Sequence, residues 1–362
     1  MVGLVVFPAR AAFTSLYIFG DGVSTTTNNP FAGQYFYGLR KSNGRVWVEL
    51  LAQRQGLGAN SITNVNWSNS SNNWSYYGQA SSNLEATVNQ YVAPPDVQTA
   101  LFVVWVNDAD FVNDMTSVYP STNIGLWTAA NNQSLTNHYN IVTNLYAKGV
   151  RTLLMPNAVD VTEIPAYDKL QVNSPAVRNF IRQQVINFNT AFSTMLSNAM
   201  VSRPGLKIYQ PDFFTLLDNV LTNSVAYGLT NALNGGVSED AYDDPALFAT
   251  LDINGPGTNY IFWDSTDPTA KLHEIIADTA QELISPAQTS KLAWLGGSNR
   301  LDMTNMPIGL SGILQGSTNL ALTNWTTVTS FNSTNSTQSV FVPISGPLEF
   351  YRLNFPFAWT WP

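Results

Sequence analysis

Apolar residues gather along the chain in short unbroken runs, each closed by a polar or glycine-bearing stretch. Ser15-Leu16-Tyr17-Ile18-Phe19 runs into Gly20-Asp21-Gly22-Val23-Ser24, the pattern of a buried strand that ends in a turn and the start of a helix. Ala100 to Val106 is apolar without interruption, as in a parallel strand covered on both faces. Val150 to Asn157 and Leu206 to Gln210 read the same way. Between these runs the spacing turns helical: Asn43 to Ala52, stopped by Gly56 and Gly58; a segment around Thr136–Leu145; and a segment from Asp212 to Val220. Ser174-Pro175 opens a long helix through Phe180, Val185, Phe188 and Met195, with serine as N-cap and proline in the first turn. A last helix is predicted from Pro268 to about Leu283. Strands alternating with helices predict an α/β domain with a parallel sheet. From Leu295 onward short alternating runs (Ile313–Gln315, Trp325–Phe331, Ser339–Ile344, Phe350–Phe355) predict a small antiparallel β module. The chain therefore divides into 12–294 and 295–362, after an N-terminal piece, 1–11.

Composition narrows the setting. Of 362 residues only 11% are charged and 12% are aromatic, so much of the surface has to be Asn, Ser and Thr, which suits an extracellular protein. A net charge of −8 with no basic run argues against nucleic acid and anionic lipid as partners. Cysteine is absent, which removes disulfides and thiolate metal sites. Met1 to Ala11, ending in Ala9-Arg10-Ala11, reads as the remnant of a bacterial-type export signal. No apolar run reaches the ~18–20 residues that span a bilayer.

Phe19-Gly20-Asp21-Gly22-Val23-Ser24 resembles the first signature of the SGNH/GDSL esterase and lipase family, Gly-Asp-Ser-Leu, with Gly22 at the position of the nucleophilic serine. Asn73-Trp74-Ser75-Tyr76-Tyr77-Gly78 resembles the second, in which a glycine offers its N–H to the oxyanion; Gly78 fills that place. Asn107-Asp108-Ala109-Asp110-Phe111 follows the third strand run. The third signature, Gly-x-Asn-Asp, falls on it in two registers: without a gap the oxyanion asparagine becomes Ala109, and with a two-residue shift Asn107 remains as donor. Asp264-Ser265-Thr266-Asp267-Pro268-Thr269 resembles the closing Asp-x-x-His-Pro-Thr, with Asp264 as triad acid and Asp267 at the histidine position. The resemblance implies a three-layer α/β/α, flavodoxin-like SGNH hydrolase fold.

Ester hydrolysis by a triad needs nucleophile, base, orienting acid and oxyanion donors together. Matched to the family, the chain keeps Asp264 and Gly78 and lacks the serine and the histidine. Ser24, two residues past the nucleophile place, points elsewhere on a helical turn. The two histidines, His138 and His273, are expected to be structural or exposed, His273 on the outer helix surface. What remains at the strand ends is acid: Asp21, Asp108, Asp110, Asp264 and Asp267. Carboxylates meeting there would need protons or a cation, so a Ca²⁺ held by Asp21, Asp264 and Asp267 is one expectation. For Asp267 the plain alternative is a helix N-cap before Pro268. Two functional readings follow. One is a secreted family member that no longer hydrolyses esters and binds a glycan-like ligand through Trp67, Trp74 and Tyr77, or self-associates through the β module and the tail Phe357-Ala358-Trp359-Thr360-Trp361. The other is an ester hydrolase working through a rearranged or metal-assisted acidic site.

Overall fold

The computed structural model describes residues 13–26, 35–57, 72–295, 298–318, 325–343 and 350–355. The N-terminal piece, Trp67 and the aromatic tail lie outside them. The described elements run β1 (Leu16–Gly20), α1 (Trp47–Arg54), α2 (Ser81–Gln90), β2 (Leu101–Trp105), α3 (Asn107–Ser117), α4 (Ile124–Ala147), β3 (Thr152–Leu154), α5 (Pro165–Asp168), α6 (Leu170–Asn173), α7 (Pro175–Ser202), β4 (Lys207–Tyr209) and α8 (Phe213–Thr222). A short hairpin of β5 (Leu233–Asn234) and β6 (Val237–Ser238) and then α9 (Ala270–Ile284) complete the α/β part. No described helix is long and apolar enough to cross a membrane.

The sheet is parallel throughout, in the order β1-β2-β3-β4. Gly20 pairs with Trp105, Val103 with Leu154, and Leu154 with Tyr209, so the strands end on one edge. On the free side of β1, Ile18 N–H donates to the Asn72 carbonyl at 2.7 Å and Trp74 N–H to the Ile18 carbonyl at 2.8 Å. This one-residue parallel rung at Asn73 extends the sheet past β1, giving the doubly wound arrangement in which ligands sit at the carboxyl ends of the strands.

Burial on both faces explains why β2, Leu-Phe-Val-Val-Trp, carries no polar residue. Trp105 meets Trp47 of α1 and Phe213 at the start of α8, with ring centroids 5.4 and 4.9 Å apart. Phe102, on the opposite face by the two-residue period of a strand, stacks on Tyr17 at 5.0 Å and lies near Phe19 and Tyr91. Helices α2, α4 and α7 pack in series, and α1 packs against α9.

The last helix begins at Ala270 rather than Pro268 because Thr269 is its cap: its side chain accepts from Leu272 N–H. Asp267 is therefore not the N-cap that the Asp-Pro pair suggests. His273 is likewise not on the outer surface. It is 1% exposed and lies against α1.

After α9 come β7 (Gln288–Leu295), β8 (Ser298–Thr304), β9 (Ser311–Ser317), β10 (Thr326–Asn332), β11 (Thr337–Pro343) and β12 (Phe350–Asn354). They form two three-stranded antiparallel sheets, β11-β8-β7 and β10-β9-β12. The first of these strands starts at Gln288, ahead of the change in texture at Leu295.

Phe102 is fully buried among aromatic neighbours, so Phe102→Ala is expected to lower the unfolding free energy by about 3–5 kcal/mol, read from the guanidinium midpoint. A loss below about 1 kcal/mol would place Phe102 outside the packed core.

Candidate active site

Six segments meet at the carboxyl edge of the sheet around a cavity of ≈ 270 Å³. Asp21, Gly22 and Val23 come from the turn after β1, Tyr77 and Gly78 from the segment after the Asn73 rung, and Trp105, Asp108 and Ala109 from the β2–α3 junction. Val159, Val161 and Ile164 follow β3, Phe213, Leu216 and Leu217 belong to α8, and Thr266, Asp267 and Pro268 precede α9. Most of the wall is apolar, and the carboxyl groups of Asp21, Asp108 and Asp267 are its ionisable acids.

The first turn is built by close approach. A Cβ on Gly20 would stand 2.6 Å from the Ser24 Cβ and 2.9 Å from the Ser75 Oγ, so only glycine fits. Asp21 caps the following 3₁₀ turn by accepting from Val23 N–H at 3.1 Å. Ser24 is fully buried and does not reach the cavity: its Oγ accepts from the Trp47 indole at 3.1 Å and its carbonyl from the Asn73 amide at 2.9 Å. Asn73 thus ties the second segment to the first.

Gly22, at the place of the motif serine, is not simply open. A Cβ there would lie 2.9 Å from Tyr77 Cδ2 and 3.4 Å from Asp267 Oδ1. Tyr77 is half exposed at the mouth, and its ring lies over the Lys41 ammonium, 3.9 Å from the centroid. Gly78 has φ +77°, which side chains rarely adopt, while nothing among the described residues crowds its Cβ position. Glycine is required there by conformation rather than by space. Trp74 is half-buried against the core. It packs inward, stacked on Phe19 and edge-on to Tyr91.

Lys41, which motif reading did not pick out, organises the last segment. Its Nζ lies 3.3 Å from Asp264 Oδ2 and 3.5 Å from Asp267 Oδ2, with the side chain almost wholly buried. Asp264 Oδ1 accepts from the amides of Thr266 and Asp267, both at 2.9 Å, which fixes the turn that presents Asp267. Thr266 Oγ1 donates to Asp267 Oδ2 at 2.7 Å. Burial alone would lower the pKa of Lys41, but Asp267 and Asp264, helped by Tyr77, outweigh it and raise it. Burial, then repulsion from Asp264, holds the Asp267 carboxyl well above the usual range despite Lys41. One ammonium faces two carboxyl groups, and a proton kept by Asp267 balances the three.

Lys41 is placed by its neighbours. Arg40 pairs with Glu49, its Nε 2.6 Å from Oε2, and the same Glu49 accepts from Val46 N–H at the start of α1. Asn43 Oδ1 accepts from Ala270 N–H, the first amide of α9, at 2.8 Å. In return His273 of α9 accepts from Trp47 N–H, the first amide of α1, through Nδ1 at 3.2 Å. Each helix therefore supplies a cap for the other. Burial lowers the pKa of His273 to about 3, so it stays neutral and structural. His138 is fully buried, edge-on to Phe192 and with Nδ1 2.8 Å from the Ser134 carbonyl. Burial lowers its pKa too.

Two further candidates leave the cavity. Asn107 donates to the Pro156 carbonyl at 2.9 Å, binding α3 to the end of β3, while Ala109 faces the cavity in its stead. Asp110 accepts from Ser81 N–H at 2.8 Å and from Ser134 Oγ at 2.5 Å, holding α2 and α4 together. The calcium arrangement expected of Asp21, Asp264 and Asp267 does not form: Lys41 bridges the latter two instead. Among the described residues the acidic trio close enough to share a cation is Asp160, Glu163 and Asp218, and Arg178 and Arg182 already pair with it.

Burial and then the neighbouring Asp108 push Asp21 up to about 8. Burial, with Asp110 adding to it, pushes Asp108 up to about 7. The unfolded chain releases the Asp21 proton near its ordinary value of about 3.9. Between there and pH 8 the folded state holds the extra proton, so stability falls as pH rises. Asp21→Asn keeps the cap and removes the titration. Its unfolding free energy should fall less between pH 5 and 8 than that of the natural chain, by on the order of 3 kcal/mol. Parallel curves would contradict this placement of Asp21.

No family model matches the chain. Among curated proteins, one GDSL esterase/lipase of Arabidopsis thaliana is 27% identical over 319 residues, covering 74% of this chain and 81% of that protein. A second from the same plant is 22% identical over 325 residues, covering 74% and 88%. Among solved structures, a lipase from a goat rumen metagenome superposes with TM-score 0.40 at 9% identity, covering 75% of this chain and 97% of that one. An α/β hydrolase enzyme from the metagenome of Lake Arreo, Spain, gives 0.39 at 11% identity, covering 75% and 94%. Along most of its length the chain is similar in sequence to GDSL-type esterases and lipases, and its parallel α/β sheet is the one that its motifs imply.

Proposed function

We propose that the chain keeps the crevice of this hydrolase family without Ser-His-Asp ester hydrolysis and serves as a binding protein. The observation that carries the reading is the state of position 22. The residue there has no side chain, the Tyr77 ring stands 2.9 Å from where a Cβ would be, and that ring is held over Lys41. A nucleophile at this place needs a base within hydrogen-bond reach. The group facing it is Asp267, whose carboxyl favours its protonated form and so makes a poor proton acceptor. His138 and His273 are both buried and engaged elsewhere.

The cavity favours an aliphatic ligand over the glycan expected from sequence. Sugars are held chiefly by hydrogen-bonding groups, and half of the lining residues here are Val, Leu, Ile and Phe. The rival reading, hydrolysis through a rearranged acidic site, draws on Asp267 Oδ1 lying 3.4 Å from the Gly22 Cβ position.

Purified protein is expected to hydrolyse p-nitrophenyl acetate and butyrate no faster than buffer, with or without Ca²⁺. Gly22→Ser should leave that unchanged, because Tyr77 fills the place and no base is added. Turnover that disappears in Asp267→Asn would overturn the proposal and favour the rearranged site.

A further inference from the structure

We infer that the ligand of this cavity carries a cationic head group on a short aliphatic body, the head lying among Asp21, Asp108 and Asp267. The inference rests on the reading of the cavity as a ligand site and adds the charge of what enters it. Three observations carry it. First, among the described residues no Lys, Arg or His lines the cavity, whereas three carboxyl groups do. Lys41 stands behind Asp267, between the two carboxyls and the Tyr77 ring.

Second, acceptor oxygens are left over. Asp267 is 3% exposed, and its Oδ2 takes Thr266 and Lys41. Its Oδ1 accepts no hydrogen bond from any described residue and points to the space over Gly22. Asp21 is 6% exposed, and one of its oxygens takes Val23 N–H. These oxygens border the cavity, where a cation would give them the partner that no described side chain supplies.

Third, much of the remaining wall is aliphatic: Val112, Val161, Ile164, Leu216 and Leu217 line the same cavity. A fatty carboxylate would bring a fourth acid to three. A neutral chain would leave the acidic oxygens as they are. A cationic amphiphile satisfies both ends.

The titratable groups lining the acidic end are Asp21, Asp108, Asp267 and Tyr77, with Asp110, Asp264 and Lys41 close behind them. Burial raises Asp21 to about 8 and Asp108 to about 7, so protonated forms of both are populated at neutral pH. An entering cation favours their ionised forms, so binding releases protons and tightens as pH rises from 6 to 8.

Titration calorimetry of the full chain at pH 7.5 with octyltrimethylammonium, octanol and octanoate, each below its micelle concentration, tests this. Octyltrimethylammonium should bind at least about ten-fold more tightly than octanol, octanoate should bind most weakly, and the heat for the cation should vary with buffer ionisation enthalpy. Asp21→Asn/Asp108→Asn, which removes both ionisable groups, should cut the cation's advantage over octanol to within about two-fold. Octanol or octanoate binding as tightly as the cation would overturn the inference and leave the binding role standing, as would undiminished cation binding in the double variant. No binding by any of the three at millimolar concentration would overturn the binding role itself.

Discussion

A single buried ammonium set against two carboxyl groups is the constraint on which the rest of this site depends. Lys41 reaches Asp264 and Asp267 from the segment that leads into α1, and those acids sit in the turn that leads into α9. The contact works only if both helices start in fixed places, and reciprocal capping by Asn43 and His273 fixes them. Further along the same helix pair, Arg54 Nε lies 2.8 Å from Asp278 Oδ1, both buried. A buried ion pair adds little net stability over a hydrophobic substitute, but removing one partner leaves an uncompensated charge. Lys41 is therefore a residue the fold cannot lose cheaply, whatever it does for function.

The same arrangement supports the proposal that a crevice placed like an esterase site does not carry out triad chemistry. In a triad, positive charge develops on a histidine that can give the proton away again. Here the positive charge is a lysine locked between two acids and roofed by Tyr77, whose ring occupies the space beside Gly22. On the proposed reading, the largely apolar cavity beyond is the part that holds a ligand.

Much of the fold was legible in the sequence, and for a physical reason. A strand buried on both faces has to be apolar at every position, and Ala100 to Val106 announces itself; Ser174-Pro175 marks the start of α7 because caps are local. What stayed hidden depends on partners distant in sequence. His273 was expected outside because helices usually have a wet face, but α9 is buried on a broad face that includes Leu272, His273, Ile275, Ile276 and Asp278. Asp267 looked like a cap because Asp-Pro is a strong local signal, yet Thr269 does that work. Lys41 has no motif around it. The one hint was scarcity, since the chain has 16 basic residues against 24 acidic ones, so each buried acid has few candidates for a partner. Asn107 and Ala109 differ by direction on the first turn of α3, which letters alone do not give.

The central claim is that Lys41 holds Asp264 and Asp267 together. A double-mutant cycle on unfolding free energy at pH 7, combining Lys41→Met with Asp264→Asn, addresses it most directly. Lys41→Met alone should destabilise by about 3–5 kcal/mol. Adding Asp264→Asn should recover a substantial part of that loss, giving a coupling of about 1–3 kcal/mol. A Lys41→Met chain as stable as the natural one, or two substitutions whose effects simply add, would contradict the account.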